Sequence, residues 1–202
     1  MIDHIILLLD LAGTLIFAAT GAIRGVKTHL DIFGVTVLAC CVGVGGGIVR
    51  DLIIGAVPVA AMRDQNYILL CIVTALLTFA LPKRALAHPA LIKILDAFGL
   101  GVFTALGAAK AAMYDMNITG IILCGIITAT GGGVIRDVLS NRLPPTVLKT
   151  DFYATAALIG GILFCVLRYF RAPAGWLFFV TASSVTVIRM LAMYFKLKLP
   201  AK

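Results

Sequence analysis

The sequence predicts an all-α membrane protein with seven transmembrane helices, built from two inverted three-helix repeats and one extra C-terminal helix. The first observation is composition: 61% of the 202 residues are hydrophobic and 13% are charged, with a mean hydropathy of +1.09. A soluble domain of this length needs a larger polar surface than these residues can form. The other two observations are repeated apolar stretches and a match of the chain to itself.

Seven apolar stretches approach the roughly 20 residues that a helix needs to cross a bilayer core of roughly 30 Å. The predicted spans are Ile5–Ile23, Ile32–Val57, Asn66–Leu81, Leu91–Ala112, Ile118–Leu139, Phe152–Phe170 and Ala174–Tyr194. Prolines fall between or beyond these spans, where a helix can end without losing an internal hydrogen bond. Aromatic residues with a polar group lie near span ends, which predicts positions beside the lipid headgroups for Tyr67, Tyr114, Tyr153, Tyr169, Trp176 and Tyr194.

The basic residues between the spans are divided unequally between the two sides. One side holds Lys27, Lys83, Arg84, Lys93, Arg142, Lys149, Lys196, Lys198 and Lys202. The other side holds Arg63, Arg168 and Arg171. Because basic loops stay in the cytoplasm, this bias predicts an outside N-terminus and a cytoplasmic C-terminus.

The chain aligns with itself at an offset of 86 residues, which places Asp10 on Asp96. Glycines, a proline and charges coincide as well as leucines: Gly13 with Gly99, Phe17 with Phe103, Gly46 with Gly132, Arg50 with Arg136, Pro58 with Pro144 and Tyr67 with Tyr153. The copies cover about residues 5–82 and 91–168, and the extra helix covers about 174–195. Because each copy holds three spans, the second enters the membrane upside down, an arrangement common in transporters.

The second span of each copy contains three consecutive glycines, Gly45, Gly46 and Gly47 in the first and Gly131, Gly132 and Gly133 in the second. Each glycine costs roughly 1 kcal/mol relative to alanine in a helix interior. We therefore expect the helix to break there and its freed carbonyl oxygens to line an ion pathway. A second interpretation, compatible with the first, is close helix–helix packing.

Ionisable residues inside spans indicate function by default. Asp10 and Asp96 are predicted near opposite faces, where their carboxylates would concentrate cations at two mouths. Five further charged residues are candidates either for a gating role or for structural cross-braces: Arg50, Asp51, Arg136, Asp137 and Lys110. For Lys110 and its aligned partner Arg24, the favoured interpretation is a side chain that reaches up to the headgroups. For Arg189 two interpretations stay open: pairing with another charged group, or a side chain that extends to the lipid headgroups.

Other classes of function find little support in the sequence. The net charge of +8 is scattered over short loops, whereas nucleic-acid binding needs a continuous basic face. The three histidines have no acidic or cysteine partner at a catalytic spacing, so an enzyme is not expected. The five cysteines lack metal-ligand spacing, and neither glycine run has the Lys-Ser/Thr of a nucleotide loop. No metal or cofactor is expected.

The doubled Gly-Gly-Gly-x-x-Arg-Asp motif, each copy seven residues before a proline, resembles the prokaryotic branch of the trimeric intracellular cation (TRIC) channel family. This branch is also catalogued as a glycine-transporter-domain family, and the resemblance covers Asp10 to about Tyr194. It implies a homotrimer in membrane lipid, with a potassium or sodium pore in each subunit that is partly formed by kinked second and fifth helices. It also implies the plasma (inner) membrane. The Lys-Glu-Val motif of the animal channels is absent, so lipid-regulated gating is not expected.

Three functions compete at this point. The first is a passive channel for monovalent cations with a preference for potassium. The second is a small-solute transporter, for example of glycine, that alternates access between the two repeats. A membrane scaffold ranks last, because it would give the glycine runs and their charges no purpose beyond packing.

Overall fold

The computed structural model describes residues 2–88, 90–145 and 152–197, and within these ranges the chain forms nine helices and no strand. The helices are α1 (Ile2–Lys27), α2 (Ile32–Ile53), α3 (Ala60–Arg63), α4 (Asn66–Ala80), α5 (Lys83–Leu86), α6 (Leu91–Met113), α7 (Ile118–Leu139), α8 (Ala154–Tyr169) and α9 (Ala174–Tyr194). Three basic residues used to predict the orientation, Lys149, Lys198 and Lys202, lie outside the described ranges.

The all-helical membrane fold is confirmed. Of the described helices, α1 from Leu7 onward, α2, α6, α7 and α9 are long and apolar enough to cross a membrane. The apolar helices α4 and α8 are shorter, with 15 and 16 residues. The predicted bounds agree with the seven longer helices to within about four residues, and the four-residue helices α3 and α5 were not predicted.

Side-chain caps fix the starts of α2 and α7 at aligned positions. The Asp31 carboxylate accepts a hydrogen bond from the backbone N–H of Gly34 at 2.7 Å. The Asn117 side chain accepts the corresponding bond from Gly120 at 2.8 Å. Each cap satisfies a backbone donor that the first helical turn leaves unpaired.

The predicted end of the second span was too late. Helix α2 ends at Ile53, four residues before the predicted Val57. Gly55 has a φ of +74°, a left-handed conformation that ends helices and that glycine adopts at little cost. The chain after α2 then turns toward the short helix α3.

Helices α1, α2, α6 and α7 form the centre of the molecule. Helix α4 packs against α1 and α2, whereas α8 packs against α6 and α7. Helix α9 packs against α6 and α8 and so adds a fourth long helix to the second half of the chain. The core between the central helices includes Phe17, Val42, Leu100 and Phe103.

Candidate functional site

The glycine runs lie where α2 crosses α7. A β-carbon added at Gly46 would collide with the carbonyl oxygen of Thr128, and one added at Gly132 would collide with the carbonyl oxygen of Val42. At Gly131 an added β-carbon would lie 3.0 Å from the Cα of Gly46. The two backbones thus approach as closely as small residues allow.

The predicted helix breaks were wrong, because α2 and α7 each continue as one helix through the glycine run. Close packing supplies the reason, since the absence of side chains lets the facing helix contact the backbone directly. The packing interpretation therefore applies to four glycines, Gly45, Gly46, Gly131 and Gly132. Gly45 packs against the side chain of Ile135.

The third glycine of each run faces charged side chains instead. A β-carbon at Gly47 would lie 3.6 Å from Nη2 of Arg50. A β-carbon at Gly133 would lie 2.8 Å from the hydroxyl oxygen of Tyr153 and 3.7 Å from Nη2 of Arg136. Gly47 and Gly133 therefore join the glycine crossing to two clusters of ionisable residues.

The first cluster consists of Asp10, Arg50, Asp51, Tyr67 and Lys110. Arg50 Nε donates to Asp51 Oδ1 at 2.8 Å, and its Nη2 lies 3.9 Å from Asp10 Oδ2. The Tyr67 hydroxyl donates to Asp10 Oδ2 at 2.9 Å. The second oxygen of Asp51 accepts the backbone N–H of Ala60 at 2.9 Å, so helix α3 begins on this carboxylate.

The second cluster consists of Asp96, Arg136, Asp137, Tyr153 and Arg189. Arg136 Nη1 lies 2.7 Å from Asp96 Oδ1, and its Nε lies 3.1 Å from Asp137 Oδ1. The same Nη1 also donates to the hydroxyl of Thr20 on α1 at 3.3 Å. The carboxylates that pair with Arg50 and Arg136 keep these two buried charges from being isolated in a low-dielectric interior.

The aligned residues adopt two different arrangements. In the first cluster the tyrosine hydroxyl binds Asp10 and the Arg50–Asp10 contact is long, at 3.9 Å. In the second cluster the arginine binds Asp96 directly at 2.7 Å. Among the described residues the buried hydroxyl of Tyr153 makes no hydrogen bond of ordinary length, although it lies close enough to Asp96 to interact with that carboxylate.

Sequence reasoning missed the role of Tyr67 and Tyr153. Both side chains are buried beside the charged clusters, so the prediction that they lie beside the lipid headgroups was wrong. The signal that could have found them is the alignment of the repeats. It pairs the two tyrosines as it pairs the aspartates and arginines they accompany.

Lys110 does not reach up to the headgroups. Its ammonium group lies 2.7 Å from Asp51 Oδ1, and its side chain is 25% exposed. The aligned Arg24 is half-buried and lies close enough to Asp137 and Arg136 to interact electrostatically with both. The structure therefore places Lys110 as a brace between the second and first halves of the chain.

Arg189 is buried rather than extended toward the membrane surface. It lies on α9 with 3% of its surface exposed, and its guanidinium carbon is 5.0 Å from the centre of the Tyr153 ring. A desolvated cation over an aromatic face is attracted by about 2 kcal/mol. Within the described residues no carboxylate pairs with it and its Nε has no hydrogen-bond partner.

A narrow cavity of about 10 Å³ lies against the first cluster. That volume holds roughly one water-sized body. Its walls include Asp10, Gly47, Tyr67, Thr14 and Phe103. The ring of Phe103 meets that of Phe17 edge to face, with 5.0 Å between the ring centres.

Sequence comparison finds relatives along nearly the whole chain. A family model described as glycine transporter matches residues 7–83 and again 93–169. The UPF0126 inner membrane protein YadS of Escherichia coli K12 is 37% identical over 194 residues, which cover 95% of this chain and 93% of the relative.

Two solved structures share the fold. The TRIC trimeric intracellular cation channel orthologue from Rhodobacter sphaeroides is 33% identical, with a TM-score of 0.88 over 96% of this chain and 99% of the other. A channel solved in a study of conductance through TRIC cation channels is 35% identical, with a TM-score of 0.88 over 96% of both chains. This chain belongs to the glycine-transporter-model family of UPF0126 membrane proteins, and it shares the fold of the prokaryotic TRIC channels.

Proposed function

We propose that this chain forms a homotrimeric channel for monovalent cations, with a preference for potassium and one pore in each subunit. The observation that carries the proposal is the match along 96% of the chain to TRIC cation channels at 33–35% identity. Identity at this level over the whole length supports a shared activity as well as a shared fold. The expected partners are potassium or sodium ions, membrane lipid and two further copies of the chain.

The two charged clusters supply the electrostatics of a cation path. In the proposed route Asp10 and Asp96 supply the carboxylates at the two ends, and the ion passes the third glycines, Gly47 and Gly133, which face the arginines of the two clusters. The arginines beside them keep each cluster near neutrality, so cations can enter a site without being held too tightly.

The aromatic pair Phe17–Phe103 is the proposed constriction. Phe103 lines the cavity of the first cluster, and Phe17 packs against Gly132 in the second half. Both rings are at most 2% exposed. A narrow apolar segment expels water and so blocks ions, which makes this arrangement a closed state.

We also propose that the chain crosses the membrane seven times, as two inverted three-helix repeats followed by one further helix. In this arrangement α4 and α8 are the two shortest membrane-spanning helices. Two contacts between aligned residues support this proposal, Phe17 with Phe103 and Gly46 with Gly132. The helix caps Asp31 and Asn117, at aligned positions, make matching hydrogen bonds in the two halves. The contacts of Phe17 and Gly46 with their own aligned partners are expected beside a pseudo-two-fold axis.

The proposed location is the inner membrane, with the N-terminus outside and the C-terminus in the cytoplasm. The Escherichia coli relative is described as an inner membrane protein. The orientation rests on the excess of lysine and arginine in the loops assigned to the cytoplasm.

The description of the family model makes glycine transport the second candidate. The similar solved structures are described as cation channels, which favours the channel. Liposomes containing the purified protein distinguish the two functions. Potassium efflux down its gradient, unaffected by excess glycine, supports the channel, whereas saturable uptake of radiolabelled glycine without potassium efflux would replace it.

A further inference from the structure

The two halves of the chain place different numbers of basic residues at or beside their charged clusters: Arg50 and Lys110 in the first half, and Arg136, Arg189 and the nearby Arg24 in the second. In the first cluster the carboxylates of Asp10 and Asp51 are accompanied by Arg50 and Lys110. In the second cluster Arg136 pairs with Asp96 and Asp137, and Arg189 lies over the ring of Tyr153. Arg24 lies near enough to Asp137 to interact with it. The second half of the chain therefore gathers one more positive charge around the same number of carboxylates.

The additional charge is Arg189, which has no aligned counterpart in the first half. It comes from α9, the helix that follows the second repeat, and it lies over the ring of Tyr153. Tyr153 aligns with Tyr67 of the first cluster. In the first half, Tyr67, Asp10 and Arg50 have no counterpart of Arg189 from a following helix.

The carboxylate of Asp10 has room to bind such a cation. Among the described residues its hydrogen bond from Tyr67 and its ion pair with Arg50 both fall on Oδ2. At 3.9 Å the Arg50 contact is longer than the 2.7 Å contact of Arg136 with Asp96. Asp10 is also a wall of the water-sized cavity, and its side chain is 13% exposed.

The donor atoms around this cavity indicate the kind of cation. The polar wall residues are Asp10, Thr14, Arg50, Asp51 and Tyr67. Arg50 is paired with Asp51, and the side chains of Asp10, Thr14 and Tyr67 offer the oxygen atoms that hard cations prefer. A divalent ion such as calcium takes six or more oxygen ligands. One available carboxylate oxygen close to an arginine suits a single positive charge better.

We infer that the Asp10 carboxylate and Tyr67 hydroxyl form a site for one monovalent cation in the first half, and that Arg189 supplies a built-in cation to the second half. The inference rests on the proposed cation channel and assigns its ion site to one half of the subunit. The two halves then differ in role. The first half binds a mobile ion, whereas in the second half the guanidinium of Arg189 takes the place of that ion.

The test uses thallium(I), a monovalent ion that replaces potassium and is visible by its anomalous X-ray scattering. Crystals of the purified full chain in thallium nitrate are expected to show one anomalous peak beside Asp10 and Tyr67 and none beside Asp96. No peak at Asp10, or equal peaks at Asp10 and Asp96, would overturn the assignment. This measurement uses the unaltered protein, so it does not depend on the folding of a variant.

A binding titration follows the same site in detergent solution. Thallium nitrate replaces choline nitrate at constant ionic strength, and the rise in the unfolding temperature reports the apparent affinity. Asp10→Asn is expected to weaken thallium binding at least tenfold. The control is Asp31→Asn, at the N-cap of α2, whose apparent affinity should stay within twofold of that of the unaltered protein. Equal affinities for both variants, or no saturable binding, would refute the site. A bound ion at Asp10 in a protein that conducts nothing would instead refute the channel alone.

Discussion

The ammonium group of Lys110 on α6 lies 2.7 Å from Oδ1 of Asp51 on α2, and this ion pair joins the second half of the chain to the first. Asp51 is 1% exposed and also accepts Arg50 Nε and the N–H of Ala60. A carboxylate with three donors is held in one orientation, which fixes the first turn of α3 and the guanidinium of Arg50.

Replacement of Lys110 by methionine should destabilise the protein by about 1.5–3 kcal/mol, the usual contribution of a hydrogen bond to a charged group. Arg50 remains to pair with Asp51, so complete unfolding is not expected. The measurement is the unfolding transition in detergent, followed by the fluorescence of Trp176. Lys93→Met, at an exposed lysine of the same helix, is the control; equal losses in both variants would show that the ion pair contributes nothing.

The glycine crossing predicts opposite results for neighbouring residues. Gly46→Ala places a β-carbon against the Thr128 carbonyl and should cost about 1–3 kcal/mol of stability through overpacking. A β-carbon at Gly47 would lie 3.6 Å from the Arg50 guanidinium, an ordinary van der Waals distance, so Gly47→Ala should gain up to about 1 kcal/mol from helix propensity. Thermal unfolding of the two variants in parallel decides the matter, and a stable Gly46→Ala protein would disprove the close crossing.

The aromatic constriction predicts a gain of conduction. Phe103→Leu keeps the site apolar but shortens the side chain and removes its edge-to-face contact with Phe17, a contact of about 0.5–1.5 kcal/mol. The open state should therefore be more populated, and single-channel recordings should show a higher open probability. Phe98→Leu alters a phenylalanine that is 48% exposed on the same helix and serves as the control. Identical open probabilities in both variants would remove Phe103 from the gate.

The two tyrosines allow a paired test of the unequal clusters. Tyr67→Phe removes a hydrogen bond to the Asp10 carboxylate and should cost about 1.5–3 kcal/mol. Tyr153→Phe removes a buried hydroxyl that makes no hydrogen bond of ordinary length among the described residues, so its cost should be smaller than that of Tyr67→Phe. Chemical unfolding of both variants gives the comparison. Equal costs would mean that the two clusters are alike.

The sequence predicts the long helices well because their length and apolar content follow directly from the thickness of a bilayer. Asp31 and Asn117 also begin helices as their local chemistry requires. The four-residue helices α3 and α5 escape prediction, because segments this short depend on tertiary contacts such as the bond from Ala60 to Asp51.

The candidate site is only partly predictable from residue types. The pairing of Arg50 and Arg136 with aspartates follows from the cost of burying charge, and the structure confirms it. The predicted helix breaks at the glycine runs were wrong. Helix propensity describes a single helix, whereas the packing of the glycines against Thr128 and Val42 depends on how two helices cross. The buried place of Arg189 depends on how α9 packs, which no local pattern encodes.

Planar-bilayer recording of the purified protein across a tenfold gradient of potassium chloride tests the channel most directly. Discrete openings are expected, with a reversal potential that approaches the roughly 59 mV of an ideally potassium-selective pore for such a gradient. A reversal potential of the opposite sign would make the pore anion-selective. Silent bilayers from protein that takes up glycine into liposomes would contradict the channel and make the same fold a transporter.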